Sequence, residues 1–266
     1  MNLALGRKAQ ALLLAALYLF LYAPIAWVIY VAFQENSIWP FPPDASLRNF
    51  ESLVELDDYW KGLKNSLAIG VGTGLLASLL ATAGAIAVLR YRVRERAIVA
   101  GIYLAPLFIA HILIGISSLM FNRSILGLPG NLASAILANA TYATAFAFLV
   151  VLAQLARYDW RLDEAAMVFG ARPLRTFWSV TLPLIWPAIL GAFIVSFLLS
   201  FNNLEISFYN LGAVPTLPTL AWGELRHGVS EELYALAALL NFGVFLFLAI
   251  LYALLRIGLL KIDFRD

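Results

Sequence analysis

The sequence predicts an all-α membrane protein with six transmembrane helices. Of its 266 residues, 62% are hydrophobic and only 13% are charged, whereas soluble domains have about 45–50% apolar and about 25% charged residues. Six segments also reach the length of about 20 mostly apolar residues that a spanning helix needs. Charged residues lie mainly between them, because charge is costly in lipid. The segments are residues 11–33, 64–89, 97–120, 134–155, 184–205 and 235–258, and we expect them to form a single transmembrane domain over residues 1–266.

The first two segments carry features that bear on their role. Arg7 and Lys8 precede an apolar run that is too long for the core of a signal peptide, and no small-residue cleavage pattern closes it. We therefore expect a retained span. In the second segment, Gly70 and Gly74 form a G-x-x-x-G pattern, which lets another helix approach closely. That helix belongs either to this chain or to a second subunit.

The third segment contains His111 and Ser117, the two residues that an intramembrane hydrolase would need. Gly115-Ile116-Ser117 begins a G-x-S-x-G nucleophile pattern, but Leu119 leaves it incomplete. We favour a hydrogen-bonded structural role for His111 over a role in a transport pathway or in catalysis.

Polar residues close the fifth segment, namely Asn202, Asn203 and Glu205. Polar groups at such a depth usually face the interior of the helix bundle or a water-filled path. These three residues are therefore candidates for a translocation pathway. Alternatively, the two asparagines only form hydrogen bonds across helices.

The charged residues predict the orientation of the chain and argue against nucleic-acid binding. Most of the 18 Lys and Arg residues lie before the first segment, between the second and third, between the fourth and fifth, and after the sixth. By the positive-inside rule, both termini are cytoplasmic. The net charge of +2 gives no case for nucleic-acid binding.

The residues expected of a cofactor or metal site are missing from the sequence. There is no cysteine, His111 and His227 are too far apart for a ligand pair, and no G-x-x-x-x-G-K-[ST] phosphate loop occurs. The chain is thus expected to bind no cofactor, and energy must come from a partner or a gradient. A gradient-driven secondary transporter is the alternative function. It predicts buried ionisable residues near mid-membrane, and the segments contain none beyond His111 and Glu205, which lies at the end of its segment.

A polar stretch between the fourth and fifth segments predicts two short helices at the membrane surface. Leu162, Ala165, Ala166 and Phe169 recur at helical spacing and form one apolar face, which leaves Asp163, Glu164 and Met167 on the other sides. Gly170 suits the left-handed C-cap of the first helix, and Pro173 suits the first turn of the second, which Leu182-Pro183 would close. Such a unit either rests on lipid headgroups or docks a cytoplasmic partner.

The spacing within this stretch resembles the EAA signature of the permease subunits of type I ATP-binding-cassette importers. Glu164-Ala165-Ala166, Gly170 and Leu182-Pro183 match its fixed positions, and Val180 stands where the signature has Ile. The resemblance implies the MetI-like permease fold, with a coupling helix in residues 157–183 that sits in a groove of an ATPase subunit. The residues implied in this contact are Glu164, Ala165, Ala166, Gly170, Arg172, Pro173 and Arg175.

The resemblance also implies partners and a location. These are a second permease subunit, two ATPase subunits that bind ATP and Mg²⁺, a periplasmic substrate-binding protein and the lipid of the bacterial inner membrane. The chain itself would be a transport subunit, not an enzyme.

Further matches are closest to the second permease of spermidine/putrescine-type importers. They are residues 63–67 (LKNSL), residues 216–218 (TLP), Arg226, residues 228–229 (GV), Glu232 and residues 235–237 (ALA). Polyamine permeases tend to carry an acidic pair near the outer end of the fifth span, where this chain has Asn202-Asn203. With Glu205 two residues on, two amides and one acid attract a cation less than two acids would, so a zwitterionic or anionic solute is favoured. The solute therefore stays open among polyamines, opines and amino-acid-like compounds.

Overall fold

The computed structural model describes residues 7–36, 41, 43–91, 95–228 and 230–256, and helices dominate this part of the chain. The α-helices are α1 (Arg7–Ala32), α2 (Arg48–Glu55), α3 (Asp57–Leu89), α4 (Arg96–Leu104), α5 (His111–Ser124), α6 (Leu132–Leu155), α7 (Arg161–Val168), α8 (Pro173–Thr176), α9 (Leu182–Phe201), α10 (Glu205–Asn210), α11 (Leu217–His227) and α12 (Glu231–Arg256). A 3₁₀ turn covers Ala105–Phe108 and a π-helical segment covers Phe177–Thr181. Apart from one isolated bridge between Gln34 and Ala45, the described residues form no β-structure. The all-α prediction is therefore confirmed for them.

Two compact units make up the chain. The first consists of Met1–Asp57 and Ala221–Asp266, and the second of Asp58–Leu220. In the first unit, α12 contacts α1 and α2. The buried amide of Asn49 donates to the carbonyl oxygens of Ala32 (3.2 Å) and Gln34 (3.0 Å), which ties α2 to the end of α1. The prediction of a single domain over residues 1–266 stays a prediction.

Small residues build the core of the second unit, where α3, α6 and α9 come together. Its buried side chains include Ala77, Ala81, Ala85, Ala143, Ala147, Phe148, Ile185 and Ala192. A Cβ added to Gly70 or to Gly74 would lie 2.8 Å from the ring of Phe197 or of Phe193 on α9. The G-x-x-x-G face therefore packs against another helix of the same chain, as one of the two interpretations predicted.

The third predicted span is not one helix. Residues 97–120 instead form α4 and α5, whose axes differ by 110° across the break between them. Pro106 lies in this break and has no N–H to offer a continuing helix. Both sides of the break are apolar, so hydropathy alone does not detect it.

The fifth span starts earlier than predicted. Helix α8, the π-helical segment and α9 form a continuous 29-residue helix, Pro173–Phe201, so Leu182-Pro183 does not close a separate helix. The proline ring would meet the carbonyl four residues before it in a regular α-helix. The wider π turn that directly precedes Leu182 offers an explanation for how the helix continues past Pro183.

Four helices in the described part are long and apolar enough to cross a membrane, namely Ala9–Ala32, Asp57–Leu89, Leu132–Leu155 and Pro173–Phe201, and the bent α4–α5 pair would be a fifth. Helix α12 covers the sixth predicted segment up to residue 256. Residues 257–258, together with Arg92, Arg94, Lys261 and Arg265 of the positively charged segments, lie outside the described residues. The six-span count stays a prediction.

Candidate functional site

The corner between α7 and α8 has the hydrogen bonds of a Schellman motif. Gly170 has φ +90°, its N–H donates to the Met167 carbonyl oxygen (2.9 Å), and the N–H of Ala171 donates to that of Ala166 (3.1 Å). A Cβ at Gly170 would meet no described atom within 4 Å, so glycine is needed for its backbone angle and not for space. Pro173 opens α8, as predicted.

The apolar face predicted for α7 does not pack against the chain. Leu162 is 47% exposed and Phe169 92% exposed, whereas Asp163, predicted to point away, is only 2% exposed. The apolar face is therefore open to lipid or to a partner, the two interpretations of the sequence, and a carboxylate with buried partners faces the chain instead. Exposed side chains therefore surround the turn, and we define the α7–α8 corner as Glu164, Val168, Phe169, Arg172, Leu174 and Arg175.

Of the other predicted coupling residues, Ala165 is exposed and Ala166 half-buried. Pro173 is exposed, and Gly170 forms the turn itself. The structure thus brings the predicted set together at one corner, while the ATPase contact assigned to it stays a prediction.

Asp163 lies at the centre of a polar cluster. Its carboxylate is 2.8 Å from Nη1 of Arg90, and it accepts hydrogen bonds from the hydroxyl groups of Tyr158 (2.7 Å) and Thr181 (3.0 Å to each oxygen). Burial, followed by the hydrogen bond to Asp163 and its negative charge, raises the pKa of Tyr158 to about 12. Arg90 also lies over the Trp160 ring, 5.4 Å from its centroid.

Sequence reasoning missed this cluster. The partners of Asp163 lie on three other segments, and their spacing along the chain follows no local periodicity. The one available signal was an acid beside Glu164 in the first turn of α7, a position that also suits any exposed acid near a helix N-terminus.

The predicted pathway residues have separate environments. Asn203 is 9% exposed, and its side-chain oxygen accepts the N–H of Ile206 (2.8 Å), so it supports the first turn of α10. Asn202 is exposed at the end of α9. Glu205 is also exposed, with a carboxylate oxygen 3.7 Å from Nδ1 of His111, the first residue of α5. Glu205 therefore lies close to His111. A pathway role for Asn202, Asn203 and Glu205 stays a prediction.

His111 and Ser117 do not form a hydrolase pair. Ser117 lies six positions after His111 on α5, which corresponds to about 9 Å along the axis and to different faces of the helix. Ser117 instead lines a cavity of about 620 Å³ beside the bend between α4 and α5. The ring of His111 packs edge-on against Tyr142, with 4.2 Å between centroids.

A buried polar network, which no pattern in the sequence predicted, joins α5, α6 and α10. The amide of Asn122 donates to Oγ of Ser134 (2.9 Å) and to Oδ1 of Asn210 (3.3 Å), while the amide of Asn210 donates to the carbonyl oxygen of Gly115 (3.0 Å). Such bonds hold α10 against the membrane-spanning helices, so the segment that carries Glu205 has a fixed position.

Comparison with known proteins places these features in context. The chain is 31% identical over 247 residues to the putrescine transport system permease protein PotI of Escherichia coli, covering 90% of this chain and 88% of that protein. It is 27% identical over 237 residues to the spermidine/putrescine transport system permease protein PotC of the same organism, covering 89% of each.

Among solved structures, a bacterial ABC transporter involved in the import of the acidic polysaccharide alginate contains a chain with the same fold. The TM-score is 0.66 at 18% sequence identity, covering 96% of this chain and 99% of that one. No protein-family model matches the sequence.

Proposed function

Because the chain belongs to the permease subunits of ATP-binding-cassette importers, of the spermidine/putrescine type, we propose that it forms half of a translocation pathway driven by ATPase subunits. A second permease completes the pathway, and a periplasmic binding protein delivers the solute. ATP and Mg²⁺ are bound by the ATPases. Both termini, and with them the α7–α8 corner, lie on the cytoplasmic side, as the distribution of Lys and Arg indicates.

The observation that carries the proposal is the exposure of the α7–α8 corner. Phe169 is 92% exposed, Val168 84% and Leu174 71%, although each is large and apolar. Exposed apolar side chains that are rimmed by charge are typical of protein interaction sites. Lipid headgroups would also cover them and would suit Arg172 and Arg175, but the EAA spacing favours an ATPase groove.

We further propose a polyamine as the solute. The two relatives named above are putrescine and spermidine/putrescine permeases, and Glu205 offers an exposed carboxylate beside the break between α4 and α5. Asn202 and Asn203 replace the expected acids, so Glu205 is the negative group at this position. This choice reverses the preference that the sequence suggested from the two amides and Glu205, because both named relatives are polyamine permeases.

Reconstitution in proteoliposomes tests the function. The chain is combined with a second permease, an ATPase and a binding protein encoded in adjacent open reading frames, and uptake of labelled putrescine is compared with that of labelled γ-aminobutyrate. We expect uptake of putrescine that requires ATP and all four proteins. Uptake by this chain alone under an ion gradient would support the secondary transporter instead, and preference for γ-aminobutyrate would overturn the choice of a polyamine.

Docking is tested separately with Phe169→Asp. A charge at a fully desolvated apolar contact is costly, so we expect co-purification of the ATPase to fall at least tenfold. A control with Asp at another exposed phenylalanine, Phe20 on α1, would place charge in a predicted span. The matched comparison therefore uses alanine, with Phe169→Ala as the test and Phe20→Ala as the control, since Phe20 is 77% exposed. Equal recovery of the ATPase with all three variants would contradict docking at this corner.

A further inference from the structure

We propose that Asp163 is a positioning residue, which with Arg90, Tyr158 and Thr181 forms a clamp that transmits movement of α7 to three membrane-spanning helices. The inference rests on the proposed docking of an ATPase at the α7–α8 corner and names the joint through which that docking acts. We call these four residues the Asp163 clamp.

The clamp joins the ends of four helices. Arg90 directly follows the last residue of α3, and Tyr158 follows α6 in the turn that leads to α7. Thr181 is the last residue of the π-helical segment, so α9 begins at the next residue. Asp163 itself lies in the first turn of α7. One carboxylate therefore connects α7 with the ends of α3, α6 and α9.

Helix α7 has little else to hold it. Among the described residues of α7, Asp163 is the only buried one. Leu162 and Val168 are exposed, and Ala166 and Met167 are half-buried. A helix held by apolar packing can slide or rotate with small changes in contact, whereas a carboxylate with four polar contacts has a defined position. A force applied at Phe169 is therefore passed on through Asp163 as well as through the backbone.

Burial strengthens the contact between Asp163 and its partners. In the part of the chain that the structure describes, Asp163 is the only buried acidic side chain, and Arg90 is 18% exposed. Water competes weakly for such groups, so their hydrogen bonds and charge pairing are stronger than at a surface. Arg90 is further confined between the rings of Tyr91 and Trp160, at 6.0 Å and 5.4 Å from their centroids.

The π-helical segment provides the place where the clamp acts on the fifth predicted span. Thr181 closes this segment, and π turns mark places where helical hydrogen bonding departs from its regular pattern. A pull on Thr181 by Asp163 acts at this irregular turn and shifts the start of α9 relative to α8. The fifth predicted span is thereby linked to the docking helix by a side chain as well as by the backbone.

Asp163→Asn tests the clamp, because it keeps the size of the side chain but removes its charge. The matched control is Asp159→Asn, since Asp159 is exposed and its carboxylate accepts the N–H of Arg161 within the same turn. Both are reconstituted with the partner subunits, and co-purified ATPase, ATP hydrolysis and putrescine uptake are measured on the same sample.

We expect Asp163→Asn to retain ATPase binding within twofold, because the α7–α8 corner is unchanged, and to transport at least tenfold less putrescine per ATP hydrolysed. Asp159→Asn should match the wild type in all three. Two results overturn the clamp: an unchanged transport ratio in Asp163→Asn, or loss of ATPase binding together with uptake, which would mean that Asp163 only supports folding of α7. Failure of the proposed function is distinguishable, since it appears in the wild type as uptake without the ATPase.

A second variant addresses the mechanical role directly. The chain has no cysteine, so Arg90→Cys/Asp163→Cys introduces a unique pair of thiols across the clamp. We expect this double variant to lose transport, and bridging with a bifunctional methanethiosulfonate to restore at least a third of the wild-type ratio, reversibly with dithiothreitol. A bridged variant that binds the ATPase yet stays uncoupled would contradict the proposal.

Discussion

Substitution of Gly170 gives a quantitative test of the α7–α8 corner. Its φ of +90° lies in the region that favours glycine, and a Cβ there would meet no described atom within 4 Å. Any effect of a side chain thus comes from the backbone and not from a clash. A left-handed conformation costs an ordinary residue about 1–2 kcal/mol, asparagine less, and a β-branched residue up to about 3 kcal/mol.

These energies predict a graded series. A cost of about 1 kcal/mol for Gly170→Ala lowers the population of the corner about fivefold relative to competing conformations, and about 2 kcal/mol for Gly170→Val lowers it about thirtyfold. Gly170→Asn should fall between the wild type and Ala. Binding of solute by the separate binding protein should not change in any of them.

ATP-dependent uptake of putrescine in proteoliposomes and co-purification of the ATPase measure the series. Gly101 serves as a control, because it is exposed within α4, a Cβ there also meets no described atom within 4 Å, and its backbone is not left-handed. Gly101→Val should leave ATPase binding unchanged. Wild-type uptake in Gly170→Val, or a series in which Val exceeds Asn, would refute the reasoning.

Three further substitutions test other parts of the structure. Gly74→Val would place a Cβ 2.8 Å from the Phe193 ring, so it should lower the free energy of unfolding by about 1–3 kcal/mol and the unfolding temperature in detergent. Gly101→Val is again the control. Equal unfolding temperatures of the two variants would argue against the α3–α9 packing. Asn210→Leu removes a partner of Asn122 and Ser134 and should cost about 1–3 kcal/mol in the same assay, unless the network has no structural role. Glu205→Gln should raise the KM for putrescine at least threefold with little change in the ATPase bound; an unchanged KM would remove Glu205 from the solute pathway.

Sequence patterns predicted the elements whose rules are local. The apolar runs place α1, α3 and α6 close to their predicted bounds, and the turn at Gly170 follows from the single residue type that tolerates its backbone angle. The bend at Pro106 escaped because the flanking residues are equally apolar, and proline alone does not distinguish a kink from a break. The buried network of Asn122, Ser134 and Asn210 escaped because its members come from three distant helices.

The orientation of α7 is not contained in its periodicity. Helical periodicity identifies an apolar face but not the surface that covers it, and in a subunit of a complex that surface belongs to another protein. The spacing of Leu162 and Phe169 therefore left lipid and a partner protein as alternatives, and it did not indicate that the side chain facing the interior is charged. A buried acid is acceptable there because Arg90 balances its charge.

Two neighbouring acids on α7 consequently have opposite environments, and this separates docking from transmission. Glu164 is exposed at the α7–α8 corner, whereas Asp163 is buried and paired. We expect Glu164→Gln to lower co-purification of the ATPase while each ATP hydrolysed by the remaining complex still moves a normal amount of putrescine. Asp163→Asn should give the reverse pattern, with binding kept and the transport ratio lowered. If both variants lowered the same quantity by the same factor, docking and transmission would be one function of α7, and its division between adjacent residues would be wrong.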